Sequence, residues 1–151
     1  MIPMFAAVVA ALFMATSATA TAPPPAETGP YVITFDPGGS VIEFIEKYEQ
    51  IAQSGRKVII KGECISACTM VLSFVPPQDV CVTPEAMLAF HSASAGESFS
   101  QTGTQVVWYS YPIKVRELLL KHGYGPNTEH PELIWIPGTT FYHLCTPQEL
   151  A

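Results

Sequence analysis

Three short stretches of the chain carry residue types that can do acyl-transfer chemistry. Gly62-Glu63-Cys64-Ile65-Ser66-Ala67-Cys68-Thr69 places a serine between an apolar strand-like run and an apolar helix-like run. A serine at such a turn exposes its hydroxyl, and the first backbone N–H groups of the following helix surround the position where an oxyanion would form. Asp36-Pro37-Gly38-Gly39-Ser40 lies about one helix upstream, and Leu88-Ala89-Phe90-His91 about one strand pair downstream. Each piece alone has an ordinary structural reading. Ser66 would be a helix cap, Gly38-Gly39 a turn, and His91 a hydrogen-bonded structural histidine. Their joint order and spacing point to a serine hydrolase site.

The elements that must position these residues follow from pattern and punctuation. Tyr31-Val32-Ile33-Thr34-Phe35 reads as a strand broken by Asp36-Pro37-Gly38-Gly39. Ser40-Val41-Ile42-Glu43 has the form of a capping box. Val41, Phe44, Ile45, Tyr48, Ile51 and Ala52 then recur on one helical face, closed by Gly55. Lys57-Val58-Ile59-Ile60 is a second strand, so the unit implies a right-handed crossover and a parallel pair. Cys64 to Phe74 reads as a turn and a buried helix stopped by Pro76-Pro77. Val80-Cys81-Val82 and Ala86-Met87-Leu88-Ala89-Phe90 read as two short strands.

Ser92 to Gly103 is small and polar, a mobile loop that could serve as a lid or a substrate-binding edge. Thr104 to Gly123 reads as a helix interrupted at Pro112. Gly125 to Gly138 is expected to be a loop around a short helix with Leu133, Ile134 and Trp135, and Thr140-Phe141-Tyr142 a last strand. Thr146 and Pro147 open a terminal helix.

The 151 residues suit one domain. Residues 1–20 read as a signal peptide. Phe5 to Met14 is an apolar run of signal-peptide length, and Ala18-Thr19-Ala20 has the form of a cleavage site, although no Lys or Arg precedes the run. Residues 21–30, with Pro23-Pro24-Pro25, read as a solvated linker, and 31–151 as the single folded domain. Export with cleavage would place the protein in the periplasm or outside the cell with no membrane span, and an uncleaved membrane anchor is the alternative reading of the same run. The net charge is −6 with only 7 Lys and Arg in no cluster, so nucleic-acid binding has no electrostatic footprint. No cofactor is expected.

The four cysteines, Cys64, Cys68, Cys81 and Cys145, are disulfide candidates in an oxidising compartment. Their spacing with His91 matches no strong zinc pattern, so no metal is expected. The strand bearing Cys81 should run beside the serine-bearing unit. That favours Cys68 with Cys81 and Cys64 with Cys145, and Cys64 with Cys81 is a near alternative.

The order strand, DPGGS, helix, strand, GECISACT, helix, two strands and FH resembles the Clp-type proteolytic subunits within the ClpP/crotonase fold. C-x-S-A-C-T with a later F-H-S looks most like an exported branch of that fold. The resemblance covers Tyr31 to Ser92 and becomes vague beyond it. It implies an α/β fold: a spiral of repeated β-β-α type units with a parallel sheet, here in a short, C-terminally trimmed version.

The resemblance also implies Ser66 as nucleophile, His91 as general base, and an oxyanion hole on backbone N–H groups of Gly39, with Gly38 adjacent, and Ala67. The partner it implies is a peptide or protein substrate in the cell envelope, with a possible homo-oligomer. The family's third catalytic member is an Asp, and the matching region, near Thr140 or Phe141, contains no carboxylate. Glu129 or Glu132 from the preceding loop, or the Thr140 hydroxyl, are the substitutes. Lys114 and Lys121 are conceivable bases by analogy with Ser–Lys peptidases, but neither occupies the matching position. A catalytically inactive, ClpP-like peptide- or partner-binding module is the alternative reading.

Overall fold

The computed structural model describes residues 27–151. The signal-peptide reading, the expected cleavage site and most of the linker lie outside the described residues. The end of the linker is pinned: Glu27 pairs with Arg56 at 2.7 Å, and Arg56 Nε donates to the Gly29 carbonyl at 2.9 Å.

Strand β1 (Tyr31–Asp36), helix α1 (Val41–Ser54) and strand β2 (Val58–Ile65) form the expected unit, and β1 and β2 pair in parallel. Gly55 closes α1 in the left-handed conformation with φ 68°. The expected capping box at Ser40 is not formed, since the Ser40 side chain caps nothing. Strand β2 is longer than its apolar run suggests. It continues through Lys61-Gly62-Glu63-Cys64-Ile65, because Glu63, Cys64 and Ile65 find partners on a second strand.

A 3-10 helix (Ser66–Met70) follows directly and runs into α2 (Val71–Phe74). Two short strands, β3 (Val80–Val82) and β4 (Met87–Phe90), then both run parallel to β2. Strand β3 pairs with Val58–Ile60 and β4 with Glu63–Ile65. The sheet is therefore mixed but mostly parallel: β1, β2 and β4 lie side by side, β3 also pairs with β2, and one further strand completes it beyond β4.

Its last member is β7 (Ile134–Pro137), antiparallel to β4. This replaces the short helix expected around Leu133, Ile134 and Trp135. Ile134 and Ile136 are buried while Trp135 and Pro137 face out, which is the period of a strand and not of a helix. Thr140-Phe141-Tyr142, expected as a strand, instead lies in a 3-10 turn (Gly138–Thr140) and the bend after it.

The loop after His91 is built around a small hairpin, β5 (Ser94–Ala95) and β6 (Ser98–Phe99), turning at Gly96. The long helix breaks as expected at Pro112 into α3 (Gln101–Ser110) and α4 (Ile113–Lys121). The chain closes with α5 (Pro147–Leu150), where Thr146 and Glu149 form a complete capping box. Among the described residues no helix is long and apolar enough to cross a membrane.

The main core cluster packs the helices against the sheet. Phe44, Tyr48 and Ile51 of α1, Met70 to Leu72, Val107 and Trp108 of α3, and Val115 and Leu119 of α4 pack against Ile33, Ile60, Leu88, Phe90 and Ile136. Phe35 and Trp135 remain exposed.

All four cysteines are in disulfides, Cys64–Cys68 and Cys81–Cys145. This corrects both expected pairings, and the register explains why. Cys81 lies level with Ile59, five residues before Cys64 along β2, which at ~3.3 Å per residue is roughly 16 Å away. Cys68, by contrast, is turned back over the end of β2 by the 3-10 helix, with its Cα 5.3 Å from that of Cys64. The segment around Leu144 bridges to β3, and Cys145 N–H donates to the Val82 carbonyl at 2.9 Å. That contact brings the Cys145 Cα to 4.9 Å from the Cys81 Cα. Two disulfides fit an oxidising compartment.

Candidate active site

The serine-bearing turn and the histidine arise at the carboxyl ends of neighbouring parallel strands. Register pairs Ile65 with Ala89, so Ser66 begins one residue beyond β2 and His91 one residue beyond β4. Adjacent strands lie about 4.8 Å apart. Both residues are half-buried and line one cavity of about 300 Å³ with Gly39, Ala67, Ala93 and Tyr111.

Ser66 is the only non-glycine among the described residues with positive φ, at 59°. For an L-residue this left-handed conformation costs roughly 1–2 kcal/mol. Such strain concentrates where the fold must present a side chain. A sharp strand-to-helix turn with its serine strained outward is also the geometry of a nucleophile elbow.

Two features hold the upstream glycines against this turn. Gly38, with φ 82°, lies so close that a Cβ on it would sit 2.7 Å from Ser66 Cβ and 2.9 Å from the Ala67 nitrogen. Only a residue without a side chain leaves the Ala67 nitrogen uncovered. Asp36 fixes the loop from the other side: its Oδ1 accepts the Gly38 N–H at 2.9 Å, and its Oδ2 accepts from Lys47 Nζ at 3.2 Å. The Lys47 ammonium also rests 3.5 Å above the Phe44 ring. The Gly38 N–H is thus engaged within the loop. Gly38 contributes space, and Gly39 and Ala67 are the residues of the expected oxyanion set that line the cavity.

The segment after His91 is anchored on both sides. Ser92 N–H donates to the His130 carbonyl at 2.9 Å, and His130 N–H donates to Ser92 Oγ at 3.0 Å. Ala93 N–H donates to the buried Thr104 Oγ1 at 2.9 Å. Burial holds the His91 pKa below the ordinary histidine value. The charge of His130 adds to the depression, and the Ser92 backbone opposes it. A depressed pKa keeps the imidazole neutral near pH 7, the state that can accept a proton.

Neither the expected place of an acid nor its substitutes supply one. Phe141 packs edge-on against Phe90 with ring centroids 6.0 Å apart, and Thr140, Glu129 and Glu132 are exposed. Glu132 contributes a backbone carbonyl to His130 Nδ1 at 2.9 Å. Among the described residues no carboxylate lines the cavity, and none is among the groups that shift His91. Lys114 and Lys121 are exposed on α4 and do not line it either. Among the described residues no three His, Cys, Asp or Glu side chains are grouped to hold a metal ion.

Sequence reasoning missed Asp36 as a loop clamp and His130 as a neighbour of His91. It also missed Thr69, Thr104 and Tyr111. Asp36 carried a local signal, since Asp two residues before a turn glycine is an Asx-turn residue. His130, Thr104 and Tyr111 act across the fold and left no local mark, and Thr69 joins Tyr111 only across it. No protein-family model matches the chain, and a search of curated proteins finds no match.

Proposed function

We propose that this protein is an exported serine hydrolase, a peptidase of the ClpP/crotonase type with the spiral α/β fold. In this reading the Ser66 hydroxyl attacks an acyl carbon. His91 takes its proton and returns it to the leaving group. The N–H groups of Gly39 and Ala67 hold the oxyanion, and such donors contribute about 3–4 kcal/mol each in known hydrolases. The observation that carries the reading is Ser66, held at positive φ on the wall of the cavity that His91 also lines. Among the described residues no Asp, Glu, Lys or Arg lines the cavity, which favours an uncharged acyl group. Its volume, at the small end of ligand sites, favours a small one. The disulfides support an oxidising location, the periplasm or the cell exterior.

The site works in this reading as a dyad, because no carboxylate stands behind His91. Loss of an orienting acid costs orders of magnitude in a triad, so slow turnover is expected. The same observation favours a second reading, a module that keeps the groove and binds peptides or an envelope partner without turning them over.

A fluorophosphonate probe tests between them. The first reading expects labelling of the folded protein that is lost in Ser66→Ala and strongly slowed in His91→Ala. Folded protein that neither reacts with the probe nor turns over small peptide or ester substrates overturns it in favour of the binding module.

A further inference from the structure

We infer that Thr69 and Tyr111 are positioning residues that aim the Ala67 N–H into the cavity, through a hydroxyl chain ending on the peptide that carries it. The inference rests on the hydrolase reading for its consequence, though not for its geometry. Thr69 Oγ1 donates to the Ser66 carbonyl at 2.6 Å, and Thr69 Oγ1 and Tyr111 Oη are 2.5 Å apart. A carbonyl can only accept, so the single Thr69 hydrogen goes to Ser66, and Tyr111 must donate to Thr69. The direction of the chain is therefore fixed as Tyr111 to Thr69 to the Ser66 carbonyl.

That carbonyl shares a planar trans peptide with the Ala67 N–H, and the two point in opposite directions. Anchoring the oxygen on the buried side turns the N–H toward the side that Gly38 leaves open. Donation to the carbonyl also polarises the amide, which makes its N–H a stronger donor. The anchor is rigid, because Thr69 is 0% exposed and Tyr111 3%. Burial raises the Tyr111 pKa well above the ordinary tyrosine value, which keeps the phenol protonated as a donor.

Tyr111 reaches both halves of the site. It lines the cavity, and its ring packs edge-on against that of Phe90, the residue before His91, with centroids 5.7 Å apart. One side chain thus sets the Ser66–Ala67 peptide on one strand end against the histidine on the next. The bland account of Thr69, a threonine returning its hydroxyl to the preceding turn, does not call for a buried tyrosine behind it.

Two substitutions at position 69 separate the accounts. Thr69→Val keeps the shape and removes the hydroxyl, whereas Thr69→Ser removes a methyl group and keeps the hydroxyl. The relay predicts that Thr69→Val lowers the maximal fluorophosphonate labelling rate about 10- to 100-fold with little change in the probe concentration for half-saturation. Thr69→Ser should stay within about threefold of wild type, and Tyr111→Phe, which shortens the chain by one bond, should fall in between. A packing role predicts the reverse order at position 69. The amide nitrogen resonance of Ala67 is the second readout, and it should move in Thr69→Val and Tyr111→Phe more than in Thr69→Ser. Labelling by Thr69→Val at the wild-type rate, or faster than by Thr69→Ser, overturns the inference. If wild type is not labelled at all, the hydrolase reading fails. The Ala67 resonance then decides the relay alone, and a resonance unmoved in Thr69→Val and Tyr111→Phe overturns it.

Discussion

Gly38 lies so close to Ser66 that no side chain fits between them. A methyl group on Gly38 would lie 2.7 Å from Ser66 Cβ and 2.6 Å from the Ile65 carbonyl oxygen. Gly38 also holds φ at 82°, so an added side chain is excluded twice. Gly38→Ala should destabilise the fold by about 1–3 kcal/mol and depress Ser66 reactivity. The companion Gly39→Ala puts its Cβ at an ordinary 3.6 Å from Phe44 and should leave stability nearly unchanged. Urea denaturation of the two variants reads the difference, and equal loss in both would mean that the loop moves freely.

The strain at Ser66 makes a prediction about stability against function. Glycine tolerates φ of 59° and alanine does not. Ser66→Gly should therefore be more stable than Ser66→Ala by about 1 kcal/mol, although glycine ordinarily costs more chain entropy. The midpoints of chemical denaturation compare them, and the opposite ranking would show that residue 66 is relaxed.

The depressed His91 pKa sets the direction of two pH dependences. Ser66 labelling should rise with pH along a limb whose midpoint lies below the ordinary histidine value of 6.5. Removing the neighbouring charge with His130→Gln should move that midpoint upward, since His130 contributes to the depression. For stability, the unfolded chain keeps the ordinary value and takes up the proton first as pH falls. The contribution of neutral His91 is thus intact above about pH 6.5. It declines as pH drops toward and through the folded pKa. His91→Gln should flatten that part of the stability profile, and a pH-labelling limb above 6.5 would contradict the burial of the ring.

The Cys81–Cys145 bridge closes a separation of 64 residues. Converting both to alanine should cost about 3–4 kcal/mol by loss of the constraint on the unfolded chain. Non-reducing peptide mapping should recover Cys64 linked to Cys68 and Cys81 linked to Cys145. Any linkage between the two pairs would contradict the strand register.

How much of this was legible from residues alone follows the range of the forces involved. The β1–α1–β2 order and the Gly55 end of α1 are local matters of period and punctuation, and they are readable, whereas the Ser40 capping box is not formed. The break at Pro112 and the α5 cap are readable too. The cavity lining by Ser66, Gly39, Ala67 and His91 was readable only as joint order, since no one of them is informative alone. Strand β7 was hidden because four residues of alternating burial, Ile134 to Pro137, also fit a short helix. Its identity is decided by a partner, β4, more than forty residues earlier. The disulfides were misread for the same reason. The apolar run ends at Ile60, whereas Cys64 lies on β2, whose register puts Cys81 out of its reach. Thr69 and Tyr111 meet across 42 residues, and nothing in either neighbourhood announces the contact.

The two disulfides divide the chain unequally. The small covalent ring from Cys64 to Cys68 contains Ser66, whereas the large ring from Cys81 to Cys145 contains His91, Tyr111 and the hairpin turn at Gly96. A protease that cut the exposed Ala95-Gly96-Glu97 turn would open the large ring without releasing a fragment. A nicked molecule would thus run as one species until reductant is added, and only then separate His91 from its Tyr111-bearing half.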